Sequence, residues 1–219
     1  HNPEFTMLEW YRVGWDHCRL MGETTKLVSA ALALVGRSVR VRQTTYRALF
    51  AQTLGIDPML DSETQLRDAL DGIAIDPVGL RRDDWLDLLL THRIQPGFKR
   101  EELLFVYDYP ATQCALAKIR LDDPPVAERF ELYLGTVELA NGYHELTDAP
   151  EQRARFESDH ALRAQRGDAK PPFDERLLTA LANGLPGCAG VALGVDRLLT
   201  AMLGADAVGA TQAFPFDRA

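Results

Sequence analysis

Apolar and polar residues alternate with a period of two through residues 130–145, FELYLGTVELANGYHE, and this pattern predicts a β-hairpin. Gly135-Thr136 suits a two-residue type II′ turn, which takes Gly at its first central position. Leu134 then pairs with Val137, and Tyr133 with Glu138. Phe130, Leu132, Leu134, Val137 and Leu139 share one apolar face; Glu131, Tyr133, Glu138 and Ala140 share the other. Residues 5–11, FTMLEWY, alternate in the same way: Phe5, Met7, Glu9 and Tyr11 line one side, and Thr6, Leu8 and Trp10 line a core side. Residues 103–107 read as a buried strand, with 115–121 as a further candidate.

Helical periodicity takes over elsewhere. A helix is predicted from Asp16 to Val35 with Leu20, Leu27, Ala31 and Leu34 inward and Gly36 as its stop. Residues 44–92 are helical in pattern, broken at Asp57-Pro58, Gly72 and Asp76-Pro77, with Tyr46, Leu49, Phe50, Trp85, Leu88 and Leu89 as core stripes. Asp148 and Glu151 form a capping-box pattern opening a charged helix that runs to about Arg166, and Asp174 caps another ending near Gly184. At the end of the chain, GVALGVDRLLTAMLG couples a short strand, 191–193, to a helix striped by Val195, Leu198, Leu199, Met202 and Leu203. Strand patterns interrupted by helices, without regular βαβ alternation, predict an α+β fold: an antiparallel sheet flanked by helices.

Composition narrows the class. With 219 residues, 46% hydrophobic and 26% charged, the chain is globular and long enough for a sizeable core. A net charge of -8 without a dense basic run argues mildly against sequence-independent nucleic-acid binding, which depends on phosphate neutralisation. The clusters Arg37, Arg40, Arg42 and Arg153, Arg155, Arg163, Arg166 read as solvated faces, with contact to an acidic partner as the alternative. Cys18, Cys114 and Cys188 are odd in number and widely spaced, which suggests free thiols in a cytoplasmic protein. No apolar run approaches the ~20 residues of a membrane span.

The candidate chemistry is acidic and aromatic. Glu131 and Glu138 become diagonal neighbours across the hairpin, roughly 7–8 Å apart, close enough to converge on a divalent cation. Two glutamates on a solvated face fit the pattern equally. The side bearing Phe5, Met7, Glu9 and Tyr11 suits a pocket for a cationic or heterocyclic ligand. Arg197 points away from the final helix's apolar stripe by about 160° and follows Gly194, where a ligand can approach the backbone. A cation in a first helical turn opposes the helix dipole, so an anion such as a phosphate chain would stabilise it; a plain surface arginine is the alternative. No Ser/His/Asp or Cys/His arrangement and no metal-ligand spacing of His or Cys is visible.

These motifs resemble the class II aminoacyl-tRNA synthetases. HNPEFTMLEWY is similar to the latter half of that family's second signature motif, and GVALGVDRLL to its third. ERFELYLGTVELANGYHELTDAPEQRARF resembles the lysine-specific branch, and within it the paralogues that ligate β-lysine to a lysine of elongation factor P. The resemblance spans nearly the whole chain. It implies ATP and Mg2+ as cofactors, β-lysine and elongation factor P as partners with tRNA not expected, a homodimer, and a helical insertion at about 44–95; a lysyl-tRNA synthetase catalytic core and a non-catalytic remnant that binds nucleotide or a partner weakly are the alternatives. Asn2, Phe5, Glu138, Leu139, Gly194 and Arg197 match ATP-site positions, with Phe5 stacking on adenine and Arg197 facing the terminal phosphates as the catalytic arginine. Glu131 and Glu138 match the magnesium contacts. Glu9, Tyr11, Asn141 and Glu145 match the lysine pocket, with Glu145 taking the side-chain ammonium. Ala192 stands where tRNA-charging relatives carry Gly. Asn141 strains strict alternation, which turns it toward the core; a bend at Asn141-Gly142 would re-aim it. The family's first motif and the α-phosphate arginine of its second are not in the sequence, so residues 1–219 are expected to be the C-terminal part of a catalytic domain.

Overall fold

In the computed structural model, residues 3–218 are described, and they build one seven-stranded mixed sheet with helices on both faces. In chain order the elements are β1 (Met7–Val13), α1 (His17–Ala33), β2 (Arg40–Thr45), α2 (Tyr46–Leu54), α3 (Glu63–Asp68), α4 (Arg82–Leu89), β3 (Glu102–Pro110), β4 (Ile119–Arg120), β5 (Val126–Leu134), β6 (Val137–His144), α5 (Ala149–Arg166), α6 (Glu175–Ala182), β7 (Cys188–Gly194) and α7 (Val195–Leu203). The strand order is β1-β7-β6-β5-β3-β2, with β4 added to β5. Every pairing is antiparallel except β2 with β3. That parallel strand is absent from the pattern-based reading, because alternating arginines in RVRQTT hide it. In the first of the two arginine clusters read as solvated, Arg37 is ion-paired with Glu101 and Arg42 with Glu102.

The sheet's two faces bury different cores. On one, Leu103, Phe105, Phe130, Leu132, Leu139, Ala189, Val191 and Leu193 pack against α1 and Leu198 of α7. On the other, Leu104, Val106, Tyr109 and Tyr133 pack against the helices of residues 46–97, through Tyr46, Phe50, Leu66, Trp85 and Leu89. This helical block covers the β3–β5 half of its face. The β6–β7–β1 half remains open, and the site lies there.

Several local expectations shift. The buried stripe of α1 is Leu20, Met21, Thr24, Val28 and Leu32, whereas Leu27 is 39% and Leu34 84% exposed. A polar residue disguises the true stripe: the Thr24 hydroxyl donates to the Leu20 carbonyl at 3.0 Å, which lets it sit in the core. Leu8, expected in the core, is 43% exposed, because β1 is an edge strand with little packed on its outer side. The candidate strand at 115–121 shrinks to β4. In α7 only Leu198 is buried, and Leu203 is exposed. Asp148 caps α5 by accepting from the Glu151 amide, but the Glu151 side chain turns to Arg155 instead of completing the box.

The hairpin keeps its predicted register at the turn, with Leu134 opposite Val137, Tyr133 opposite Glu138, and Gly135 at φ 56°. A β-bulge then intervenes, so that Leu132 faces Ala140 and Glu131 faces Asn141. Ala140, expected beside the glutamates, lies in the α1-side core next to Leu139. Asn141 is thereby returned to the face of Glu131. The re-aiming device is this bulge, upstream of the bend expected at Asn141-Gly142. Leu139→Ala is expected to destabilise by roughly 2–5 kcal/mol as a core deletion. Glu138→Gln should stay within about 1 kcal/mol. Denaturant unfolding of both variants checks the order, and a larger loss in Glu138→Gln would invert the face assignment.

Candidate active site

Strand pairing lays the site out in rows. Glu9 of β1 faces Ala192 of β7, which faces Asn141 of β6, which faces Glu131 of β5. The next row is Tyr11, Gly190, Tyr143 and Arg129. The middle strand β7 therefore shows this face only Gly190, Ala192 and Gly194, while Ala189, Val191 and Leu193 fill the core behind it. A strand stripped of side chains on one face becomes a trough floor, walled by β1 and β6. A side chain at Gly190 would force its neighbours to move: a Cβ there would lie 2.5 Å from both Glu145 Oε1 and Tyr11 Cε1.

Two clefts open over this floor. The larger, about 450 Å³, is lined by Phe5, Met7, Glu138, Leu139, Gly194 and Arg197. The smaller, about 210 Å³, is lined by Glu9, Tyr11, Leu116, Tyr143, Glu145 and Gly190. Asn141 and Ala192 line both, so the two meet there. A still larger hollow of about 600 Å³ lies in the helical block around Leu70 and Trp85 and contains none of the candidate residues.

The larger cleft is built at the junction of β1, β6 and α7. The Asp196 carboxylate accepts from the Thr6 amide at 2.5 Å and the Val195 amide donates to the Thr6 carbonyl at 2.9 Å, fixing the segment with Phe5 to the start of α7. Phe5 precedes β1 and is 68% exposed. Arg197 lies along the bare Gly194, its side-chain carbons 3.5–3.6 Å from where a Cβ would be. Its Nη1 donates to the Glu138 carbonyl at 2.8 Å and sits 3.7 Å from the Glu138 carboxylate. Burial, and then the charge of Glu131, push the Glu138 carboxyl above its ordinary value, against Arg197 and Arg129.

Glu131 and Glu138 do share a face, as the alternation predicts, but the positive charge at Glu131 is supplied by the protein. Arg129 ion-pairs with one Glu131 oxygen, and the Tyr133 hydroxyl donates to the other at 2.5 Å. Arg129 also stacks over Tyr109 at 4.3 Å and donates to the Gln113 carbonyl at 2.9 Å. Among the described residues no group of three or more His, Cys, Asp or Glu could hold a metal ion. Glu138 is the carboxylate that faces open space.

The smaller cleft ends at Glu145. Burial alone raises its carboxyl to about 7, with no opposing cation among the described residues. Tyr11 is likewise raised, by burial first and then by Glu145 and Glu9. At the junction, the Asn141 side-chain oxygen is buried with no hydrogen-bond partner among the described residues. A half-buried carboxylate awaiting a cation and a buried acceptor awaiting a donor together suit an ammonium-bearing ligand.

The chain matches the family described as tRNA synthetases class II (D, K and N) over residues 1–218. It belongs to that family. Similar curated proteins include "Elongation factor P--(R)-beta-lysine ligase" of Pectobacterium atrosepticum, 46% identical, and of Salmonella gallinarum and Salmonella agona, each 48% identical. Each comparison covers 100% of this chain and 67% of the relative, so the chain spans about two thirds of their length. Membership implies use of ATP.

Of the residues singled out from the sequence, Asn2 lies outside those described. Phe5, Glu138, Leu139, Gly194 and Arg197 come together at one cleft; Glu9, Tyr11 and Glu145 at the other; Asn141 and Ala192 between them. Glu131 stands behind Glu138, joined to Arg129. Arg129, Tyr143, Gly190, Asp196 and Leu116 were missed. Alternation from Glu131 and Asn141 carries a signal for Arg129 and Tyr143, and the spaced small residues of GVALG carry one for Gly190.

Proposed function

We propose that the protein activates β-lysine with ATP and transfers it to a lysine side chain of elongation factor P. The observation that carries this reading is the pair of clefts meeting at Asn141 and Ala192: one bears an arginine and a carboxylate, the other ends in a half-buried carboxylate with no cation beside it among the described residues. In such a reaction the amino-acid carboxylate attacks the α-phosphorus of ATP and pyrophosphate leaves. The ε-amine of the acceptor then takes the aminoacyl group and AMP leaves with the bonding pair. No protein nucleophile is needed, in keeping with a site that works by positioning and charge neutralisation.

In this reading Glu145 takes the side-chain ammonium of the substrate, and Tyr11 and Tyr143 flank its stem. Asn141 accepts from the substrate amine, and Glu9 completes the polar wall. Phe5 and Asn2 serve the adenine, Gly194 and Leu139 border the nucleotide, and Arg197 steadies the departing phosphates. A magnesium ion fits as a nucleotide-borne ion, because one or two carboxylates suffice when phosphates complete its shell. Glu138 would hold it, with Glu131 orienting through Arg129; bound, it would supply charge neutralisation. We extend the reading to residues 1–219 as the C-terminal part of a catalytic domain with residues 44–95 as its insertion, and to a cytoplasmic homodimer. Among the described residues no helix is long and apolar enough to cross a membrane.

Amino-acid-dependent ATP–pyrophosphate exchange by the full-length gene product tests the reading. β-Lysine should support faster exchange than α-lysine, and label should pass to elongation factor P. Equal exchange with α-lysine and charging of tRNA would replace the reading with that of a lysyl-tRNA synthetase core. Gly190→Ala is expected to raise the amino-acid KM about a hundredfold by displacing Tyr11 and Glu145, while leaving the ATP KM within about twofold.

A further inference from the structure

The connector between β3 and β4, residues 111–118, is fixed at both ends in a way the chemistry described so far does not require. Its first half is tied to α4: the Thr112 hydroxyl donates to Asp83 at 2.7 Å and the Gln113 amide to Asp87 at 2.9 Å. Its second half lies along the end of β6. The Leu146 amide donates to the Leu116 carbonyl at 3.0 Å, the Lys118 amide to the His144 carbonyl at 2.8 Å, and Ala117 bridges Glu145. Leu116 thereby becomes a wall of the smaller cleft beside Glu145, an aliphatic side chain 40% exposed among carboxylates and phenols.

The backbone that presents Leu116 is unfavourable by itself. Ala115 has φ 47°, a left-handed conformation that a residue with a Cβ rarely adopts. One side chain restrains it. Arg155 of α5 donates from the same Nη1 to the Ala115 carbonyl at 3.0 Å and the Ala117 carbonyl at 2.8 Å, spanning the residue between them. Its Nη2 is anchored to Glu151 at 2.5 Å. Guanidinium geometry suits this role, because several fixed donors serve three acceptors at once.

We propose that Leu116 is a specificity-determining residue of the amino-acid cleft and that Arg155 is the positioning residue that sets it there. The inference rests on the functional reading above and deepens it. An aliphatic wall beside Glu145 lies along the hydrocarbon stem of a lysine-type substrate and shields the ammonium–carboxylate pair from water. It also fixes the path of that stem, and so favours one placement of the amino group along it over another.

The test is pyrophosphate exchange by the full-length gene product with α-lysine and β-lysine as separate substrates. Leu116→Ala is expected to raise the KM of the preferred isomer about tenfold or more and to compress the kcat/KM ratio between isomers at least about fivefold, with the ATP KM within about twofold. Thermal melting should be unchanged, because Leu116 is partly exposed. Arg155→Ala should reproduce the same split, and Arg155→Lys should recover part of it by bridging the two carbonyls with an ammonium. An isomer ratio unchanged in Leu116→Ala, or an ATP KM that moves equally, would overturn the inference and leave the functional reading standing. Absence of exchange with either isomer in the unaltered protein would overturn that reading and the inference with it.

Discussion

Replacing Glu145 by Gln is expected to remove lysine-dependent exchange, with kcat/KM falling roughly a hundred- to a thousandfold, without weakening the fold. The cause is the half-buried carboxyl at the end of the smaller cleft. Its folded value of about 7 lies above the ordinary 4.5, and burial is responsible. A raised folded value means that the protonated form is favoured in the native state. Its stabilising contribution is complete below about pH 4.5, is lost as pH rises through 7, and leaves the free protein with a charge it would rather not bury. At pH 8 the Gln variant should therefore melt at or above the temperature of the unaltered protein, and the difference should vanish near pH 4.5. Substrate binding shows the opposite trend. An ammonium needs the ionised carboxylate, so the amino-acid KM should rise about tenfold per unit as pH falls below 7, and this dependence should be absent in Glu145→Gln. A variant that lost stability at pH 8 while keeping that pH dependence would contradict the assignment.

Arg197→Ala carries the second large effect. The guanidinium is exposed, lies over Gly194 and is braced on the Glu138 carbonyl. It faces the cleft without being part of the core. Removing a pre-positioned donor of this kind costs about a hundred- to a thousandfold in turnover. Arg197→Lys should recover only part, because an ammonium lacks the planar fork. Stability should change by less than about 0.5 kcal/mol, and amino-acid affinity measured without ATP should be unaltered. Calorimetric titration with each ligand separates these results: loss of amino-acid binding in the absence of ATP would place Arg197 in the wrong cleft.

Legibility from the sequence depended on how local each cause is. The turn at Gly135-Thr136 and the glutamates on one face of the hairpin were readable, because turn chemistry and alternation act within a few residues. Asn141 was not, because the bulge that re-aims it is settled by the pairing of β6 with both β5 and β7. The parallel strand β2 was hidden by its arginines, one of which, Arg42, has its carboxylate partner Glu102 sixty residues on in sequence. The stripe of α1 was misplaced because Thr24 enters the core with its hydroxyl satisfied by its own helix. Arg129 illustrates the same limit at the site: two like charges suggested a metal, and only the fold shows that a guanidinium already compensates one of them.

The most direct test is a crystal structure of the full-length gene product with a non-hydrolysable lysyl-adenylate analogue. The account expects the ammonium at Glu145, the acyl-phosphate junction at Asn141 and Ala192, and the adenine beside Phe5 in the cleft that Arg197 lines. An analogue seated in the hollow around Leu70 and Trp85, or lying in the trough with its ammonium toward Arg197 and its adenine toward Glu145, would contradict it.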